Sequence, residues 1–77
     1  MNNKIVCKRL KGLMVEHEIT IQGLAKKIGI SENSLALKIN GLRPWWYMEV
    51  MRVVKVFGFT EAKDVFPEMH SSVQKIS

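Results

Sequence analysis

The sequence predicts an all-α domain of short helices, four of them followed by a last short turn, and three observations predict it. Apolar residues recur at helical three- and four-residue spacing in separate segments. Thr20, Ser31 and Thr60 stand where helix N-caps are expected, and Gly29, Gly41 and Gly58 stand where helices should stop. With 77 residues, 47% of them apolar and 25% charged, the chain has the composition of one small packed domain. Chains of this size bury only about 60% of their unfolded surface, so the core is thin and a large enclosed active site is not expected.

The elements follow in order. From about Lys4 to His17, Val6, Leu10, Leu13, Met14 and His17 form one stripe with Lys4, Lys8 and Lys11 off it, an amphipathic first helix. Thr20 then offers a side-chain oxygen ahead of Ile21, Leu24, Ala25 and Ile28, an N-cap followed by a short helix that Gly29 ends. Ser31 caps a third helix in which Leu35 and Ile39 point inward four residues apart; Glu32, Asn33, Leu37 and Lys38 lie off that stripe, and Asn40-Gly41 stops it.

Pro44 disfavours helical geometry at Arg43, so Leu42-Arg43-Pro44-Trp45 is a loop with an aromatic anchor, Trp45, expected to bury against the core. Val50, Met51, Val53, Val54 and Phe57 define a strongly apolar fourth helix from about Tyr47 to Phe57, stopped by Gly58. Thr60 can cap a last short turn, Glu61 to Val65. From Pro67 onward the residues read as a frayed, flexible tail, which divides the chain into a domain of residues 1–66 and a tail of residues 67–77.

The formal charge is +5 and the sequence pI about 9.7, a balance that favours a polyanionic partner. Residues 1–55 carry 10 Lys/Arg against 4 Asp/Glu, whereas residues 56–77 carry 2 against 3, so the excess belongs to the helical body. Cys7 is the only cysteine, no internal disulfide can form, and a cytoplasmic home is the default expectation. No apolar run reaches the roughly 20 residues that span a bilayer, and the chain reads as soluble.

The second and third helices, joined at Gly29, form a helix-turn-helix at about residues 20–40. A tight turn between two helices needs a left-handed glycine, here Gly29, and a small residue where the helices come closest, here Ala25. Leu24, Ile28, Ile30 and Leu35 lock the pair. The third helix opens with Ser31, Glu32, Asn33 and Ser34, short polar side chains able to bond base edges in a major groove about 12 Å wide.

Leu24-Ala25, Gly29-Ile30-Ser31, Leu35, Ile39-Asn40-Gly41 and Val56-Phe57-Gly58 together resemble the lambda-repressor/Cro-like helix-turn-helix family of phage and bacterial regulators, over about residues 4 to 66. The run from Lys38 to Trp45 looks like small phage-encoded members, in which a proline-aromatic pair follows the recognition helix. The resemblance implies a lambda-repressor-like fold of five short helices and a sequence-specific regulator of transcription acting on double-stranded DNA. It puts Glu32, Asn33 and Leu37 at the groove, Thr20 to Gln22 beside the phosphate backbone, and Asn40 to Arg43 at the opposite phosphates. Ser34 joins the expected base readers, and Lys26 and Lys38 the expected phosphate contacts.

This chain also departs from the family pattern. Ile21 stands where many relatives carry glutamine, with Gln22 beside it. Lys38 stands at the inward position three residues after Leu35, where relatives often have an aliphatic side chain, and Ile39 is expected to supply the packing instead.

Plainer readings stand beside these. Glu32 either accepts a bond from cytosine N4 or only answers the positive end of the helix. Lys26, Lys27, Lys38 and Arg43 either flank DNA or form a solvated face. Trp46, Tyr47 and Met48 either cover a thin core or contact a second copy or a partner protein, which keeps open a homodimer and, on the same fold, an anti-repressor or antitoxin-like interaction module.

No nucleophile-base pair, phosphate cradle or convergent carboxylate pair is visible, so neither an enzyme nor a small-molecule substrate is expected. Cys7 and His17 lie ten residues apart on one helix, too far along its axis to share a metal, and no cofactor is implied.

Overall fold

The computed structural model describes residues 5–69. They form α1 (Lys8–Glu16), α2 (Ile21–Ile28), α3 (Glu32–Ile39), α4 (Tyr47–Val56) and a short 3-10 turn, Ala62–Asp64, with no strand among the described residues. The two predicted caps at the centre of the chain form as the sequence requires. Thr20 Oγ1 accepts the Gly23 N–H at 3.0 Å, and Ser31 Oγ accepts the Ser34 N–H at 3.0 Å. Each bond satisfies a helix-terminal donor that would otherwise be orphaned, an effect of about 1 kcal/mol. Gly29 closes α2 at φ +81°, and the N–H groups of Gly29 and Ile30 both return to the Ala25 carbonyl.

The core is where the inward stripes meet. Leu10 and Leu13 of α1, Leu24 and Ile28 of α2, Leu35 and Ile39 of α3, and Val53 and Val54 of α4 are all buried. Val65 and Phe66, after the 3-10 turn, complete it. Trp45 is pinned as expected. Its ring meets Phe66 edge-on with centroids 5.0 Å apart, and its indole N–H donates to the Lys38 carbonyl at 3.1 Å.

The first helix starts later than its stripe implies. Helix α1 begins at Lys8, and Val6 lies in a preceding segment whose next residue, Cys7, is buried and donates its N–H to the Ile39 carbonyl at 2.9 Å. That long-range bond takes the backbone donor at the entrance of α1, and the segment follows α3 instead of extending the helix. Lys4 lies outside the described residues. The helix ends at Glu16 with His17 as C-cap, and Glu18 takes the left-handed position at φ +54° without being glycine.

At the other end of the chain, Thr60 caps nothing. The 3-10 turn has Glu61 at its N-cap with no side-chain bond, since the turn starts one residue later than the sequence suggested. Residues 67–69, assigned by sequence to the tail, are helical. Glu68 Oε2 accepts the Arg9 N–H at 3.0 Å, a carboxylate at the positive end of α1, while the Arg9 side chain reaches the Asp64 carbonyl at 3.1 Å. The rest of the expected tail, residues 70–77, lies outside the described residues.

Candidate nucleic-acid interface

The two ends of α3 are held differently. At its start the Ser31 cap is engaged and Ser34, half-buried, accepts a long bond from Arg43, while Glu32 and Asn33 are exposed. At its end all four final carbonyls are bonded. Ala36 accepts from the N–H and the side-chain amide of Asn40, Leu37 from the Leu42 N–H, Lys38 from the Gly41 N–H and the Trp45 indole, and Ile39 from the Cys7 N–H. A helix terminus leaves four acceptors without intrahelical partners, and three separate parts of the chain close them here. Helix α3 is therefore clamped at its C-terminal end and open to a ligand at its N-terminal end.

Lys38 is part of that clamp and not part of the surface. It is 3% exposed, and its ammonium meets Glu49 Oε1 of α4 at 2.6 Å. The expected phosphate contact by Lys38 is thereby corrected: three residues after Leu35 is the same helix face, so the side chain is carried inward. Glu49 gives the ammonium a partner there. The same carboxylate oxygen accepts the Trp46 N–H at 2.9 Å, the acidic half of a capping box at the start of α4. The Trp46 indole has no acceptor with which to supply the other half.

The remaining candidates lie on the exterior around α2 and α3. Gln22, Lys26 and Lys27 are exposed on α2, and Thr20 keeps its hydroxyl proton free while its oxygen caps the helix. Asn40 is exposed, but its amide is committed to the Ala36 carbonyl. Arg43 reaches back nine residues to donate to Ser34 Oγ at 3.4 Å, so its guanidinium lies along α3 towards the first turn and not only at the far end of the helix. Leu37 is half-buried.

Trp46, Tyr47 and Met48 are 71%, 74% and 62% exposed, so none of them covers the core. Beside them runs an apolar groove of about 590 Å³, whose lining includes Leu42, Pro44, Trp45, Tyr47 and Val50.

Sequence reasoning missed two side chains that hold this arrangement. Glu49 had a local signal, an acid three residues after an N-cap, but its partner Lys38 lies eleven residues earlier in the chain. Arg52 of α4 donates to the Ile28 carbonyl at 3.1 Å, a cation at the negative end of α2, and nothing within either helix announces it.

Burial of Cys7 pushes its thiol up from 9.0 to about 11, which keeps it protonated at neutral pH. Among the described residues no three His, Cys, Asp or Glu side chains converge to hold a metal ion, and no helix is long and apolar enough to cross a membrane.

A capped helix, a left-handed glycine turn and a second helix with an open polar first turn define the helix-turn-helix class of DNA-binding domains. The model of the Cro/C1-type HTH DNA-binding domain matches residues 9–58, from the second residue of α1 through the glycine that follows α4, and the chain belongs to that family. It is a DNA-binding regulator. No curated protein and no solved structure matches the chain.

Proposed function

We propose that the chain is a sequence-specific transcriptional regulator that seats the first turn of α3 in the major groove of double-stranded DNA. The observation that carries this reading is the asymmetry of α3, with every terminal carbonyl bonded at one end and Glu32 and Asn33 exposed at the other. An eight-residue helix is about 12 Å long, comparable to the groove's width of about 12 Å. Asn33 suits an adenine edge, Glu32 a cytosine amino group and Leu37 a thymine methyl, with Ser34 and Arg43 side by side at their flank. Thr20, Gln22, Lys26 and Asn40 contact phosphates and fix the register. The reading needs neither catalysis nor a cofactor, and the Pro44-Trp45 step after α3 supports a phage or prophage origin.

Selection of bound duplexes from a random pool, followed by titration at several salt concentrations, tests the proposal. Enrichment of one sequence, with affinity falling as salt rises, is expected. Binding without sequence preference would refute it.

A second reading rests on the exposed run Trp46-Tyr47-Met48 beside its apolar groove, a combination that marks contact surfaces. In this reading the fold holds a partner protein or a second copy there. Trp46→Ala would then abolish function, whereas the first reading assigns that loss to Asn33→Ala combined with Arg43→Ala. Sedimentation equilibrium with and without DNA tests the homodimer, whose half-sites would lie about 34 to 36 Å apart.

A further inference from the structure

Among the described residues Lys38 is the only charged side chain buried with the core. Its ammonium and the Trp46 N–H share Glu49 Oε1, at 2.6 Å and 2.9 Å, and its carbonyl accepts the Trp45 indole N–H at 3.1 Å. The reading helix is thus joined at one residue to α4 by a side-chain bond and to Trp45 in the loop before α4 by a backbone bond, each with its own direction.

A buried ion pair gains little net stability over apolar side chains of similar volume, because both charges must leave water. Apolar contact, however, is non-directional. It would leave the α4-facing side of α3 without a directed side-chain bond against small rotations of α3 about its own axis, which its packing on α2 and the backbone bonds at its C-terminal end restrain only in part. Glu32 and Asn33 lie more than one helical turn before Lys38, so any such rotation moves them across the groove floor and off the base edges they address.

We infer that Lys38 and Glu49 are positioning residues for base reading: their bond sets the rotation at which α3 presents Glu32 and Asn33, and it serves selectivity and not stability. The inference rests on the proposal that α3 is the base-contacting helix.

The test compares affinity for a duplex enriched from the random pool with affinity for its scrambled counterpart, alongside thermal melting. The double variant Lys38→Met/Glu49→Met should melt within a few degrees of wild type, since the relief of burying two charges offsets the loss of the Trp46 N–H bond. Its selectivity ratio should nevertheless fall about tenfold, through weaker binding of the enriched duplex. Glu49→Gln keeps an oxygen for both N–H donors but loses the charge. It should melt lower and yet, below its melting temperature, hold the wild-type ratio within about twofold. A pair that only stabilised the fold would give the opposite ranking.

A double variant as selective as wild type overturns the inference and leaves the function standing. A wild-type chain that binds both duplexes equally overturns both. Should the double variant not fold, Glu49→Met against Glu49→Gln, each measured while folded, makes the same comparison. A lower ratio in Glu49→Met supports the inference, and equal ratios overturn it.

Discussion

The backbone N–H of Cys7 donates to the carbonyl of Ile39 across 2.9 Å, so the segment ahead of α1 closes the end of α3. The approach is close enough that a Cβ on Gly41 would come within 2.7 Å of both the nitrogen and the oxygen of Ile5.

Gly41→Ala should therefore cost more than Gly29→Ala. Both glycines have positive φ, +76° and +81°, and an L-residue there loses about 1 to 2 kcal/mol. At Gly29 the nearest foreign atom is the Arg52 guanidinium at 3.8 Å, an ordinary contact, so little is added. At Gly41 the obstacle is backbone, and overpacking raises the total to about 2 to 4 kcal/mol. Urea midpoints with an unchanged slope would measure both, and equal losses would contradict the crossing of the Ile5 segment over Gly41.

Glu18→Gly should stabilise the protein. Glu18 occupies the left-handed position that ends α1, at φ +54°, where glycine carries no Cβ penalty. The added freedom of the unfolded chain offsets part of the relief, leaving a gain of about 0.5 kcal/mol, or roughly 2 to 4 °C in melting temperature. Calorimetry reads it directly.

Lys26 and Asn33 should separate affinity from selectivity. Lys26→Ala removes an exposed charge, so folding stability should stay within about 0.5 kcal/mol while the salt dependence of DNA binding becomes shallower by about one ion. Asn33→Ala should leave the salt dependence unchanged and cost about 1 to 3 kcal/mol on the enriched duplex alone. Identical effects from the two changes would argue against a base-reading role for Asn33.

Cys7 should make folding sensitive to alkali. Folding raises its thiol from 9.0 to about 11, so the native state holds the proton more tightly. The resulting stability is complete below pH 9 and is lost as pH rises through about 11, a change of roughly 2 to 3 kcal/mol. The margin of wild type over Cys7→Ala should shrink by that amount across the window. Native protein at pH 7 should also resist thiol reagents until it is unfolded.

The separation of bonded partners along the chain explains which parts of the molecule can be read from its residues alone. The caps at Thr20 and Ser31, the stops at Gly29, Gly41 and Gly58, and the apolar stripes of α2, α3 and α4 were legible because each depends on partners within one or two helical turns. The open first turn of α3 was legible for the same reason. The start of α1, the helical residues 67–69, the pairing of Lys38 with Glu49 and the Arg52 bond to Ile28 were not, since their partners lie between 11 and 59 residues away.

The sequence by itself determined that these helices exist, where most of them stop, and that a polar turn opens the third. Only the tertiary structure decided which end of that helix is clamped, because orphaned carbonyls and a buried ammonium take whatever donors and acceptors the fold brings to them, and chain proximity does not select those partners.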